Sequence, residues 1–460
     1  HSQSSNGPFI DKADVNNDGF EDFYVGGAAN QSGELYIQQT DGNFKKQVSN
    51  VWNKDRGYED LGVLFFDADN DGDQDLYVVS GSSEFSENSA MFQDRLYLND
   101  GKGDYVRNSE ALPKITSSGQ TVKASDIDND GDMDLFVGGR VIPDKYPFAP
   151  ESYIFINENG KFYDRTNSLA PELSRIGMVT DATFSDFDSD GDEDLIVVGE
   201  WMSITIFKNT NGKLQKEKIA SLEKTKGLWF SIGADDIDND GDIDYFAGNL
   251  GLNAKFKANN KKEFHIFCDD FDNSGTYDIV LSNKYNGVLV PARGKECSTQ
   301  QMPFVSEKFA SYGAFAEASL ADVYGEENLE QALHHEAEML ESMYIENLGN
   351  GEFKLKALPR SVQISPIMDF EFININSDNS KEIIIVGNHY NSEVETVRYD
   401  ASYGAILSYD SGSFDTVNSE VTGMFNKGNA KNILLLNIAE NPQIVITNND
   451  GKLQMFEAIN

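Results

Sequence analysis

Asp67-Ala68-Asp69-Asn70-Asp71-Gly72-Asp73-Gln74-Asp75, running straight into Leu76-Tyr77-Val78-Val79, decides how this 460-residue chain folds. Acidic side chains stand at positions 1, 3, 5 and 9 of the loop, with glycine at position 6. That spacing turns carboxylates, and the backbone carbonyl of position 7, toward one point. A hard cation that prefers oxygen ligands, Ca²⁺ above all, suits such a cage. Without a cation the carboxylates would repel one another within a few ångströms.

The same register recurs. Asp14, Asn16, Asp18, Phe20 and Asp22 match Asp67, Asp69, Asp71, Asp73 and Asp75. So do Asp126, Asp128, Asp130, Asp132 and Asp134, then Asp186, Asp188, Asp190, Asp192 and Asp194. A fifth loop has Asp236, Asp238, Asp240, Asp242 and Asp244, and a weaker sixth has Asp270, Asp272, Ser274, Thr276 and Asp278. These are the candidate metal ligands, and they predict five or six Ca²⁺ ions. Two more units are degenerate. One is Asn374-Ile375-Asn376-Ser377-Asp378 leading to Glu382, and the last keeps only a strand near Ile444-Val445-Ile446.

The first five loops begin 53, 59, 60 and 50 residues apart, a period that signals an array of similar units. An EF-hand is excluded. It needs a glutamate at loop position 12, where this chain has Val25, Val78, Val137, Val197, Ala247 or Leu281. Each loop instead leads into a short β-branched and aromatic run, and so joins two strands. Hairpins then close on Asn-Gly or Asp-Gly, as at Asn99-Asp100-Gly101, Asn159-Gly160 and Asn211-Gly212.

Four antiparallel strands repeated at this period make the blade of a β-propeller, all-β and a single domain over residues 1–460. Eight units are countable if the 34 residues from Asp236 to Asp270 hold a reduced blade, and seven full blades plus one irregular unit is the competing count. Residues 292–341 break the pattern. Apolar residues three or four apart there predict two amphipathic helices, parted near Gly325, inserted within one blade ahead of the Met343 strand.

Bulk properties narrow the partners. A net charge of −40 repels phosphate backbones and anionic membranes, and no basic stripe offsets it, so nucleic acid is excluded. No apolar run is long enough to insert in a membrane. Cys268 and Cys297 are the only cysteines and permit one disulfide, although Cys268 reads equally as a small core residue. A chain opening on His1 is expected to be a trimmed product or a piece of a longer polypeptide. Loops filled at millimolar calcium point to an extracellular or cell-surface location.

Catalytic motifs are thin. His335-Glu336-Ala337-Glu338-Met339 lacks the second histidine of a zinc-protease helix, and no serine sits in a Gly-x-Ser-x-Gly elbow. If the acidic loops share one face of the propeller, the loops between second and third strands share the other. Those carry Arg140, Tyr146, Glu200, Trp201, Asn249, Asn253, His389, Tyr390, Arg398, Tyr399 and Asp400. Convergent loops rich in aromatic and hydrogen-bonding groups are where a ligand would bind. The plain alternative for each residue is packing or turn capping. A polysaccharide lyase using Arg140, Arg398, Tyr399 and His389 is the enzymatic alternative to a non-catalytic binding module, and a structural spacer is the third.

The acidic loop followed by Asp-Leu, an apolar strand and Val-Gly-Gly resembles the FG-GAP/VCBS repeats that build the integrin α-subunit propeller and many bacterial surface proteins. Gly138-Gly139-Arg140-Val141-Ile142-Pro143, Gly199-Glu200-Trp201, Gly248-Asn249-Leu250-Gly251-Leu252-Asn253 and Arg398-Tyr399-Asp400-Ala401-Ser402 are similar to a bacterial group of cartilage-acidic-protein-like proteins common in Bacteroidetes. The resemblance implies a protein or glycan ligand on the face opposite calcium, and an outer-membrane nutrient-uptake transporter as one candidate partner.

Overall fold

Each second strand is a continuous apolar run because it is buried on both faces. In the computed structural model, which describes residues 5–259, 261–349, 351–375, 380–392, 396–438 and 441–457, these runs pair on either side into antiparallel sheets. Sheet 1 holds Ile10–Ala13, Asp22–Val25, Glu34–Gln38 and Phe44–Lys46. Sheet 2 holds Asp60–Phe66, Asp75–Ser80, Arg95–Asn99 and Tyr105–Arg107. Sheet 3 holds Ser118–Ser125, Asp134–Val141, Tyr153–Asn157 and Phe162–Asp164. Sheet 4 holds Met178–Ser185, Asp194–Met202, Thr205–Thr210 and Lys213–Lys216, with Gly227–Leu228 added beside the second strand.

Sheet 5 pairs Ser231–Asp235 and Asp244–Gly248 with Met343–Asn347 and Phe353–Ala357. Sheet 6 holds Asp369–Ile373, Glu382–Val386, Ala405–Asp410 and Ser413–Thr416. Sheet 7 holds Asn429–Ile438, Asn441–Asn449 and Gln454–Glu457. The first strands of these seven sheets contact one another in order, and sheet 7 returns to sheet 1. Side chains tie that closure: Ile10 N donates to Asn432 Oδ1 at 3.0 Å, and Thr447 Oγ1 to the Pro8 carbonyl at 2.8 Å.

The core sits between the sheets. Strand alternation sends Leu195 and Val197 into the cluster shared with sheet 3, and Ile196 and Val198 into the cluster shared with sheet 5. Ile383 and Ile385 face sheet 5 in the same way, while Ile384 and Val386 face sheet 7. A two-sided strand of this kind reads as an unbroken apolar run.

An eighth sheet lies outside the circuit. Its order is Val288–Pro291, Asp278–Tyr285, Phe264–Asp269 and Leu333–Ala337, and its last strand touches sheet 4. This corrects one expectation: the Met343 strand belongs with the Asp236 loop, and the whole sixth unit is inserted between them. The helical segment also differs from the expected hairpin. Five short helices occur, at Lys295–Gln301, Phe304–Lys308, Tyr312–Ala316, Leu320–Tyr324 and Glu326–Gln331. Serine N-caps at Ser311 and Ser319, Pro303 ahead of the second helix and Gly325 at φ 89° divide what periodicity alone joins. Met302, Val305, Phe315, Leu320 and Val323 pack over Phe267 and Val280 of the eighth sheet. Residues 333–337, within the segment read as helical, are strand.

Candidate functional site

All six acidic loops join first strands to second strands, and position 9 is the first residue of the second strand each time. Positions 4 and 6 hold positive φ, for example Asn70 at 61° and Gly72 at 91°. This left-handed pair folds the backbone inward, so that amide groups of positions 5 and 6 reach position 1. Asp130 N and Gly131 N each donate to Asp126 at 3.0 Å, and Asp190 N and Gly191 N donate to Asp186 at 3.0 and 2.9 Å.

Position 9 is held from two sides. Asp75 accepts from Ala68 N at 3.0 Å and from Asn99 N of the third strand at 2.8 Å, and Asp134 accepts from Ile127 N at 3.0 Å and Asn157 N at 2.8 Å. Burial, with the neighbouring loop carboxylates adding to it, pushes Asp75, Asp134, Asp194 and Asp244 up to about 7, and Asp22 and Asp278 up to about 6.

These loops fit a hard cation. One oxygen from each of Asp67, Asp69 and Asp71 lies within 4.8 Å of the others, and Asp126, Asp128 and Asp134 meet the same criterion, as do Asp186, Asp188 and Asp194, and Asp236, Asp238 and Asp240. Asp67 Oδ1 and Asp188 Oδ1 are buried with no hydrogen-bond partner among the described residues. An all-oxygen donor set with orphaned carboxylate oxygens is what Ca²⁺ would satisfy. Position 7 offers its carbonyl, because its side chain is otherwise engaged: Asn17 Nδ2 donates to Asp73 at 3.1 Å and Asn129 Nδ2 to Asp192 at 3.0 Å, linking each loop to the next. Of the degenerate unit, residues 376–378 lie outside the described residues.

Sequence reading missed a second set of loop residues. In four sheets an asparagine at or next to the end of the third strand reaches back to the previous loop: Asn99 to Val15 O at 2.8 Å, and Asn157 to Ala68 O, Asn209 to Ile127 O and Asn347 to Phe187 O, each at 2.9 Å. The signal was present in those four hairpins as an asparagine two or three residues before the first glycine. Those glycines also sit tightly: a Cβ on Gly160 would lie 2.9 Å from Asp69 Cβ, at φ 80° where glycine is favoured.

At the other ends of the second strands the expected binding residues divide into two groups. Arg140 and Trp201 both stand at register shifts, between Gly139 and Val141 and between Glu200 and Met202. A bulge re-aims a side chain. Trp201 has φ 62°, costly for a bulky residue, and its Nε1 donates to Tyr146 Oη at 2.6 Å. Arg140, 2% exposed, pairs with Glu200 at 2.8 Å. Arg140 Nε and Nη1, Glu200 Oε2 and His389 Nδ1 are buried without hydrogen-bond partners among the described residues. Burial, reinforced by Lys431 and Arg140, pushes His389 down to about 3, so its ring is neutral. Tyr146, Glu200, Trp201, His389 and Tyr399 line one cavity of about 100 Å³, walled by Phe230, Phe256 and Phe264. Arg140, His389 and Phe230 also border an axial cavity of about 190 Å³ between the first strands, where burial lowers Lys431 to about 7.

The remaining residues stand elsewhere. Asn249 is buried and structural, donating to Met339 O at 3.2 Å and accepting from Leu250 N at 2.8 Å, while Asn253 donates to Ile364 O at 3.2 Å. Exposed Arg398 pairs with Asp400 at 3.2 Å and lies over the Tyr390 ring at 4.6 Å, outside both cavities. Cys268 and Cys297 are not joined in a disulfide.

Residues 14–78 and 186–247 match the FG-GAP-like repeat. The chain carries FG-GAP-like repeats. Together with the closed circuit of antiparallel sheets, most of them four-stranded, this makes it a β-propeller protein. Among curated proteins none matches the sequence. Solved structures with a similar course include an Agrocybe aegerita lectin described as recognising non-reducing terminal N-acetylglucosamine, at 12% identity and TM-score 0.45, covering 90% of this chain and 80% of that one. Sqt1 of Saccharomyces cerevisiae aligns at 10% identity and TM-score 0.46, over 100% of this chain and 98% of its own. The V. cholerae biofilm matrix protein Bap1 aligns at 11% identity and TM-score 0.38, over 100% of this chain and 88% of its own. No helix among the described residues is long and apolar enough to cross a membrane.

Proposed function

We propose that this protein is an extracellular, calcium-stabilised, seven-bladed propeller that binds a protein or glycan and catalyses nothing. The circuit of seven first strands supports a count of seven blades, with the eighth sheet read as an insertion in the fifth. Five or six Ca²⁺ ions would occupy the acidic loops, and the millimolar calcium that loops of this kind require favours an extracellular site. The finer resemblance to cartilage-acidic-protein-like proteins extends the reading to a surface assembly, with an outer-membrane transporter as a candidate partner.

One observation supports ligand binding above the rest. Four polar atoms of Arg140, Glu200 and His389 are buried and without hydrogen-bond partners among the described residues, beside the two cavities. Buried polar groups are almost always hydrogen-bonded, so such a concentration calls for an outside partner. Hydroxyl-rich sugars or a polar peptide side chain would supply both donors and acceptors.

Asn391 is exposed and borders the smaller cavity, so Asn391→Trp would fill it without disturbing the core. Binding to immobilised oligosaccharides and peptides by the wild type, lost in Asn391→Trp at an unchanged melting temperature, is the expected result. Equal binding by the two proteins would remove this cavity from the proposal.

A further inference from the structure

We propose that His265, His334 and Glu336 form a binding site for a divalent transition-metal ion of the zinc type, separate from the calcium loops. His265 lies on Phe264–Asp269 and the other two on the neighbouring strand Leu333–Ala337 of the inserted sheet. Glu336 is directly opposite His265, and His334 is two residues along, so alternation puts all three side chains on one face. His335 points the other way, its Nε2 lying 3.3 Å from the Pro147 carbonyl.

The donor atoms already converge. His265 Nδ1 and His334 Nε2 are 3.0 Å apart, and His265 Nδ1 is 3.8 Å from Glu336 Oε2. Two imidazole nitrogens bound to one tetrahedral zinc at about 2.0–2.1 Å would stand about 3.4 Å apart, a small adjustment from the observed separation. The surrounding groups fix the ligands in place. Lys226 Nζ holds Glu336 Oε1 at 2.7 Å, leaving Oε2 toward the histidines, and the Phe267 ring stacks on His334 at 4.2 Å with planes 5° apart. His265 is buried while His334 is exposed, so an ion can enter and keep water in its remaining positions. Burial lowers both imidazole pKa values, with His265 adding to the effect at His334, and so favours neutral rings that can ligate.

The chemistry separates this site from the loops. Two nitrogens and one carboxylate select zinc, cobalt, nickel or copper, whereas the loops offer oxygen alone and select calcium. Binding at Nδ1 moves the His265 proton to Nε2, which is buried without a hydrogen-bond partner among the described residues. That costs affinity and leaves the stoichiometry unchanged.

Cobalt titration of the whole protein in saturating calcium tests the proposal, because the loops are then filled and Co²⁺ reports its ligands by visible d–d absorption. One equivalent should give that absorption and be displaced by Zn²⁺. His334→Asn, at an exposed position, should weaken binding by about 100-fold or more, since even partners of ligands contribute about 10–100-fold. Glu336→Gln should also weaken it, and His335→Asn, on the opposite face, should bind like the wild type. Absence of the absorption in the wild type, or equal binding by His334→Asn, overturns the site.

Discussion

Asn157 Nδ2 donates to the Ala68 carbonyl at 2.9 Å, and so pins the third strand of sheet 3 onto the acidic loop of sheet 2. Its Nδ2 also reaches Met133 O at 3.2 Å, and its Oδ1 accepts from Gly160 N at 2.9 Å. One buried side chain therefore joins two blades and a hairpin. Asn157→Ala leaves two buried carbonyls and an amide without this partner, and is expected to lower stability by about 1–3 kcal/mol. Denaturant unfolding in saturating calcium measures this, and an unshifted midpoint would show that the staple is dispensable.

Calcium removal should do more. At a tenfold excess over the dissociation constant, linkage gives about 1.4 kcal/mol per site. Five or six independent sites would contribute roughly 7–8 kcal/mol, comparable with the net stability of an ordinary domain. The melting temperature is expected to fall steeply in chelator, and Asp71→Ala should reproduce a single site's share. Equal melting with and without metal would mean that the loops hold themselves.

The metal-free protein should also depend on pH in an unusual direction. Asp75, Asp134, Asp194 and Asp244 titrate at about 7 in the folded chain, against an ordinary 3.8. Between about pH 4 and pH 7 the folded state holds protons that the unfolded chain has released, so stability falls as pH rises across that window. In chelator the melting temperature should be higher at pH 5 than at pH 8. Calcium favours the ionised carboxylates and should flatten or reverse the trend. A chelated protein that gains stability from pH 5 to pH 8 would contradict the buried-aspartate account.

Much of this was legible because the acidic loops announce themselves by spacing, and because strands such as Leu195-Ile196-Val197-Val198 are apolar throughout. The insertion was harder to read. Met343 follows a long interval in sequence and pairs with Tyr245–Ala247, a non-local choice that strand periodicity does not encode. The five helices merged into two because apolar spacing ignores the serine caps and the break at Gly325. On the opposite face, Asn249 and Arg398 have the same residue character whether buried or exposed. Only packing separates Asn249, locked in the core, from Arg398, paired with Asp400 at the surface.

Lys208 marks one loop as different from the rest. Its ammonium ion pairs with Asp190 at 3.0 Å and also bonds Asp188, the fifth and third positions of the fourth loop. Among the described residues no other acidic loop has a lysine at those positions. The side chain comes from the adjoining strand Thr205–Thr210 and supplies one positive charge where a calcium ion would supply two. Calcium must therefore displace it, and the fourth loop should be the weakest of the five strong sites. Lys208→Met removes the competitor. The pair is partly exposed, so the effect should be modest, about 0.5–1 kcal/mol. Calorimetric titration should show the weakest calcium site tightening, while the melting temperature in chelator drops because Asp188 and Asp190 lose their counter-ion. Tightening without the drop would mean that the lysine blocks entry and does not neutralise the empty loop; neither change would mean that the ammonium is a surface contact of no consequence.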